Sequence, residues 1–179
     1  IPFSDPVAEG PVIQESSQKA LAAGTNLDKI FDLVKKVRKT VNIPLVFMTY
    51  VNPVFRYGYD NFFKQCSVIG IDGIIIPDLP FEEKNEISEY AKKYDIKIIS
   101  LIAPTSQQRI EDIAKEAEGF LYVVSSMGVT GERNEIKTDL KSIVDSVKKV
   151  TSVPTAIGFG IHSPQQANQM SKISDGVIV

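Results

Sequence analysis

The chain has 179 residues, 43% apolar and 23% charged, with a formal net charge of -2. This balance describes a globular protein of one domain and excludes the basic face that a nucleic acid or an anionic membrane requires. No apolar run approaches the roughly 20 residues that cross a bilayer, so the expected partners are small molecules or other proteins.

The chain opens on IPFSDPVAEGPVIQ, residues 1–14. Pro2, Pro6 and Pro11 fix φ and bias the residues before them away from helix, so this stretch reads as a stiff, extended loop carrying two acids, Asp5 and Glu9. A helix from about Gln14 to Ala23 is expected next, closed by Gly24 in a left-handed cap. A second helix follows, with Leu27, Ile30, Phe31, Val34 and Val41 along one stripe.

PLVFMTY (44–50) is the first of six apolar runs of strand type. The others are DGIIIPD (72–78), IKIISLIAP (96–104), GFLYVVSS (119–126), PTAIGFG (154–160) and DGVIV (175–179). They are rich in β-branched residues and apolar on consecutive positions, as in a parallel sheet buried on both faces. Between them lie amphipathic stripes: Ile87, Tyr90, Ala91 and Tyr94; Ile110, Ile113, Ala114 and Ala117; Leu140, Ile143, Val144 and Val147. A last helix is expected from Pro164, with Ser163 as its N-cap. The single cysteine, Cys66, falls on a helical pattern with Phe62, Phe63 and Ile69. It reads as a buried structural thiol, in keeping with a reducing, cytoplasmic setting.

Strands alternating with helices leave two architectures, an open doubly wound sheet or a closed (βα)8 barrel, both α/β. Six strands in 179 residues extrapolate to about 240 residues for eight, near the ~250 of a typical barrel, which favours the barrel. The expectation is one barrel domain over 1–179, an internal segment running from the end of strand two to strand eight. In both architectures the chemistry lies in loops after the carboxyl ends of the strands.

Two later loops carry candidate chemistry. In IGFGIHSP (157–164), Gly158 and Gly160 end a strand before a capped helix, where backbone N–H groups and the helix dipole suit a phosphate; a tight turn without a ligand is the plain alternative. In SSMGVTGERNE (125–135), glycines flank Thr130, the pattern of a closing lid or of a solvated connection. His162, the only histidine, reads as a solvent-facing loop residue. No cluster has metal-ligand spacing, and there is no G-x-S-x-G elbow.

In this order and at these intervals, IPFSDPVAEGPVIQ, MTYVNPVF, IIIPDLPFEE, GVTG and GFGIHSPQQ resemble the alpha subunit of tryptophan synthase over essentially the whole chain. The resemblance implies a (βα)8 barrel that cleaves indole-3-glycerol phosphate to indole and glyceraldehyde 3-phosphate. The reaction uses no metal or organic cofactor, and indole passes to a beta subunit in an alpha2-beta2 assembly. It places the acid that takes the indole N1 proton at Glu9, where the family pattern has aspartate. The family's second acid would fall three positions before Ile1, and a Gly-Ser of its phosphate site just after Val179.

The resemblance further implies a phosphate site at Gly158, Phe159 and Gly160, with Gly131 contributing from the lid and Thr130 as the lid hydroxyl. Tyr50, Ile75, Ile102 and Tyr122 match the indole pocket. Asp5, Asn52, Pro53, Asp78 and Pro80 match loop residues that face the beta subunit or support the opening loop. A noncatalytic relative that binds phosphate or activates a beta subunit is the alternative, because Glu9 is one methylene longer than the family's acid. Another phosphate-binding barrel would explain the GFG turn but not the opening motif.

Overall fold

The computed structural model describes residues 1–104, 107–125 and 139–179. It divides into two compact units, Ile1–Ile98 and Ile99–Val179.

In the first unit the opening loop leads into α1 (Pro11–Ala22) and α2 (Leu27–Val37), followed by β1 (Val46–Met48), α3 (Val51–Tyr57), α4 (Tyr59–Ile69), β2 (Gly73–Ile75), a 3-10 turn (Phe81–Glu83), α5 (Asn85–Lys93) and β3 (Lys97–Ile98). The three strands form one parallel sheet in the order β1-β2-β3, with Phe47 opposite Ile74 and Ile74 opposite Ile98. Helices cover this sheet through Phe31, Val54, Phe62, Phe63 and Ile87, all buried with Phe47 and Ile74 in one cluster. Phe62 lies within ring contact of Phe31, Phe47, Tyr57 and Phe63. Cys66 is buried in the same cluster, and burial pushes its thiol up to about 12, which makes it inert as a nucleophile near neutral pH.

The second unit runs β4 (Leu101–Ile102), α6 (Gln107–Lys115), β5 (Leu121–Val124), α7 (Leu140–Lys148), β6 (Thr155–Gly158), α8 (Pro164–Met170) and β7 (Gly176–Val177). Its sheet is again parallel, ordered β4-β5-β6-β7. Its buried residues include Ile110, Ile113, Leu121, Val123, Val144, Val147 and Ile157.

One local device recurs in both units. Asp72 and Asp175 each precede a glycine at the start of a strand and accept a backbone N–H from the neighbouring strand, Leu45 at 2.7 Å and Thr155 at 2.9 Å. Each aspartate returns its own N–H to the same residue's carbonyl. Such paired bonds set the register at the strand entrance, the end opposite the loops that follow the strands.

Several sequence expectations are corrected. The first helix begins at Pro11, not Gln14. A proline at the first helical position lacks only an N–H that would have no intrahelical partner, so Pro11 starts the helix rather than prolonging the loop. The second helix ends at Val37, before Val41. The run 96–104 is not one strand: β3 closes the first sheet and β4 opens the second, with Ile99 and Ser100 between them. Asn52 and Pro53 belong to the first turn of α3 rather than to a loop. The left-handed Gly24 (φ 77°) and the Ser163 cap are found where expected.

Candidate active site and phosphate turn

In the first unit the opening loop is fastened to the end of β1. Tyr50, only 2% exposed, donates its hydroxyl proton to Glu9 Oε2 at 2.5 Å and accepts the Ala8 N–H at 3.1 Å. The Phe3 ring lies 5.4 Å from the Tyr50 ring, and Gln14 Nε2, on α1, donates to the Glu9 carbonyl at 2.8 Å. Glu9 is thus half-buried, with its backbone tied to α1 and one carboxylate oxygen tied to a strand-end phenol. Burial first, and the Glu9 carboxylate second, push the Tyr50 phenol up to about 12. It therefore acts as a fixed donor at neutral pH. A glutamate reaches this phenol from the loop, and its second oxygen has no part in that bond.

Asp78, after β2, reaches back to α3. Its Oδ1 and Oδ2 accept the Val51 N–H at 3.0 and 3.3 Å, capping a helix whose own N-cap residue, Tyr50, supplies no side-chain cap. Asp78 therefore orients the residue that holds Glu9. Ile75, buried at the end of β2, accepts the Thr49 N–H at 3.1 Å and continues the ladder to the residue before Tyr50. Asp5, Asn52 and Pro53 share a cleft of about 510 Å³ with Arg56, Tyr57 and Asp28, so three of the expected partner-facing residues come together. Pro80 is exposed, just before the 3-10 turn.

In the second unit Gly158 ends β6, and Phe159 and Gly160 both have positive φ, 87° and 82°. Gly158 is required for a reason the sequence did not disclose. A Cβ placed there would lie 2.5 Å from Tyr122 Oη and 2.9 Å from Ile178 Cβ, so the missing side chain makes room for the Tyr122 ring. Tyr122, on β5, is buried, and burial raises its phenol. Ile102, fully buried on β4, pairs in register with Val123.

Most N–H groups around the start of α8 are committed to its own capping box. His162 and Ser163 donate their N–H groups to Gln166 Oε1 at 3.0 and 3.3 Å, Gln166 N–H bonds Ser163 Oγ at 3.2 Å, and Pro164 has no N–H. The backbone N–H groups of Phe159 and Gly160, in the turn before that capping box, take no part in it. His162 is exposed, as expected. Thr130 and Gly131 lie outside the described residues. Among the described residues no group of acids, histidine and cysteine gathers to hold a metal, and no helix is long and apolar enough to cross a membrane.

The sequence model of the family described as tryptophan synthase alpha chain matches residues 1–179. The chain belongs to the tryptophan synthase alpha chain family. The tryptophan synthase alpha chain of Lacticaseibacillus casei is 56% identical over 179 residues, all of this chain and 67% of that protein. Among solved structures, tryptophan synthase subunit alpha from Campylobacter jejuni matches with a TM-score of 0.87 and 35% identity, over 99% of this chain and 71% of that one. A structure of the tryptophan synthase a2b2 complex from Pyrococcus furiosus matches with a TM-score of 0.88 and 37% identity, over 100% of this chain and 73% of that one. The fold class is accordingly α/β, with the parallel strands of part of a (βα)8 barrel, as expected from the sequence.

In this site the sequence missed two polar residues. Tyr50 reads as one more pocket aromatic, and its role as the partner of Glu9 has no local signal. Ser125, read as the start of a polar loop, is fully buried after β5, and its hydroxyl donates to the Phe159 carbonyl. A serine directly after an apolar strand was the only hint.

Proposed function

We propose that this chain is the barrel domain of an indole-3-glycerol-phosphate lyase of tryptophan biosynthesis. It releases indole and glyceraldehyde 3-phosphate and passes the indole to a beta subunit, in the cytoplasm. The observation that carries the reading is the opening-loop acid, Glu9, seated by Tyr50 at a strand end in a chain that matches the family over its whole length.

The proposed chemistry is a tautomerisation followed by a retro-aldol cleavage. Glu9 takes the N1 proton as C3 receives one from the family's second acid. C3 is then tetrahedral, and the ring C=N becomes an electron sink. A base removes the proton of the side-chain hydroxyl next to C3, the aldehyde C=O forms, the bond to C3 breaks, and the electron pair flows to N1. Glu9 returns its proton there. Protons and electrons balance without an external oxidant or a metal. Tyr50, holding Oε2, leaves Oε1 for the substrate, and the phosphate is bound by the turn at Gly158, Phe159 and Gly160. Tyr50, Ile75, Ile102 and Tyr122 are the indole-contacting residues in this reading, and Asp5, Asn52, Pro53, Asp78 and Pro80 serve the partner face.

The test is indole release by the full-length protein, with and without a beta subunit, comparing wild type with Glu9→Gln. The amide keeps the shape and loses the basicity, so turnover falls on the order of a hundredfold or more while substrate binding stays within a few fold. Full activity in Glu9→Gln removes Glu9 from the mechanism. A wild type that binds substrate but releases no indole is the noncatalytic relative instead.

A further inference from the structure

The turn after β6 is held from behind by a residue on the neighbouring strand. Ser125 is fully buried; its N–H donates to the Gly158 carbonyl at 2.9 Å, and its hydroxyl donates to the next carbonyl, that of Phe159. A third carbonyl, that of Gly160, faces His162 Nδ1 at 3.3 Å. Among the described residues every peptide bond is trans, and in a trans peptide the C=O of one residue and the N–H of the next point in opposite directions. Two carbonyls drawn toward Ser125 therefore turn the N–H groups of Phe159 and Gly160 away from it. The Phe159 φ of 87° is one that a phenylalanine adopts only where its surroundings impose it.

We propose that Ser125 is a positioning residue for the phosphate turn: it binds the carbonyls of Gly158 and Phe159, and so presents the amides of Phe159 and Gly160 to an oxyanion. The inference rests on reading this turn as the site of the substrate's phosphate, and it deepens that reading. An anion at a turn is attracted by N–H groups and repelled by carbonyl oxygens, so the orientation of each peptide decides whether the turn binds. The Phe159–Gly160 peptide is the vulnerable one. Glycine offers little steric resistance to its rotation, and the Ser125 hydroxyl is the group that holds it. The His162 and Ser163 amides are already committed to Gln166, so the capping box cannot substitute for a rotated Gly160 amide.

The test is a titration of full-length Ser125→Ala with two probes, glycerol 3-phosphate and indole. The dissociation constant for glycerol 3-phosphate rises about tenfold or more while that for indole changes less than about twofold; in turnover, KM rises more than kcat falls. Unchanged glycerol 3-phosphate affinity overturns the proposal, and so does a parallel loss of both ligands, the mark of a merely structural residue. Should the variant fail to fold, the wild type still decides. On adding glycerol 3-phosphate, the amide resonances of Phe159 and Gly160 shift with saturation; phosphate-ester binding that leaves both unmoved overturns the proposal. A wild type that binds no phosphate ester overturns both this inference and the lyase reading, whereas binding that ignores Ser125→Ala overturns only the former.

Discussion

The hydroxyl of Tyr122 lies where a side chain on Gly158 would begin, 2.5 Å from the position of a Cβ. Neither residue can be enlarged without moving the other. Gly158→Ala is expected to cost about 1–3 kcal/mol of stability, the usual range for overfilling a packed interior. Tyr122→Ala in the same chain removes the clash, so the double variant should recover part of that loss relative to the sum of the two single losses. Recovery stays incomplete because Ile178 Cβ, at 2.9 Å, still crowds the new methyl. Urea unfolding of the two single variants and the double variant measures the coupling; strictly additive losses would show that the two sites do not interact.

Tyr50 links stability to pH. Its phenol titrates near 10 in an unfolded chain and is pushed up to about 12 here, by burial and then by Glu9. The raised value means that this contribution is whole below about pH 10 and is lost as pH rises from about 10 through about 12, because the unfolded chain releases the proton first. The loss is on the order of 2 kcal/mol. Tyr50→Phe lacks this proton, so its unfolding midpoint should fall less than that of wild type between about pH 9 and about pH 11.5. Parallel curves for the two proteins would contradict the coupling.

Asp78 caps α3 across 27 residues of sequence. Asp78→Ala should destabilise by about 1 kcal/mol, and Asp78→Asn, which keeps an acceptor, by less. Because α3 starts at the residue after Tyr50, Asp78→Ala should also lower the rate of indole release. Hydrogen exchange at the Val51 amide reads the cap directly, and protection unchanged in Asp78→Ala would refute the assignment.

Thr49 is 1% exposed, and its hydroxyl has no hydrogen-bond partner among the described residues. An unsatisfied buried polar group costs about 1–3 kcal/mol, and valine fills nearly the same volume without it. Thr49→Val is expected to be neutral or to stabilise by about 1 kcal/mol, read from the thermal midpoint. A loss of more than about 1 kcal/mol would mean that the hydroxyl is satisfied by a bound water.

The alternation of helices and parallel strands was legible in the sequence because it depends on periodicity, a property of neighbours along the chain. Phe31 and Val34 are buried on one stripe of α2, and Ile74 and Ile75 are buried on consecutive positions of β2. The opening motif likewise marked Glu9, and the glycine pair marked the turn at 158–160. Pro11 misled, since it reads as part of a stiff loop, yet at the first position of a helix its missing N–H costs nothing. What only the tertiary structure decided are the pairings over long sequence distance. Tyr50 meets Glu9, 41 residues away, and Ser125 meets Phe159, 34 residues away. Parallel strand pairing places Val124 beside Gly158, and so brings Ser125 to the turn that follows. A hydroxyl's partner is set by where the chain returns, and no local spacing records that return.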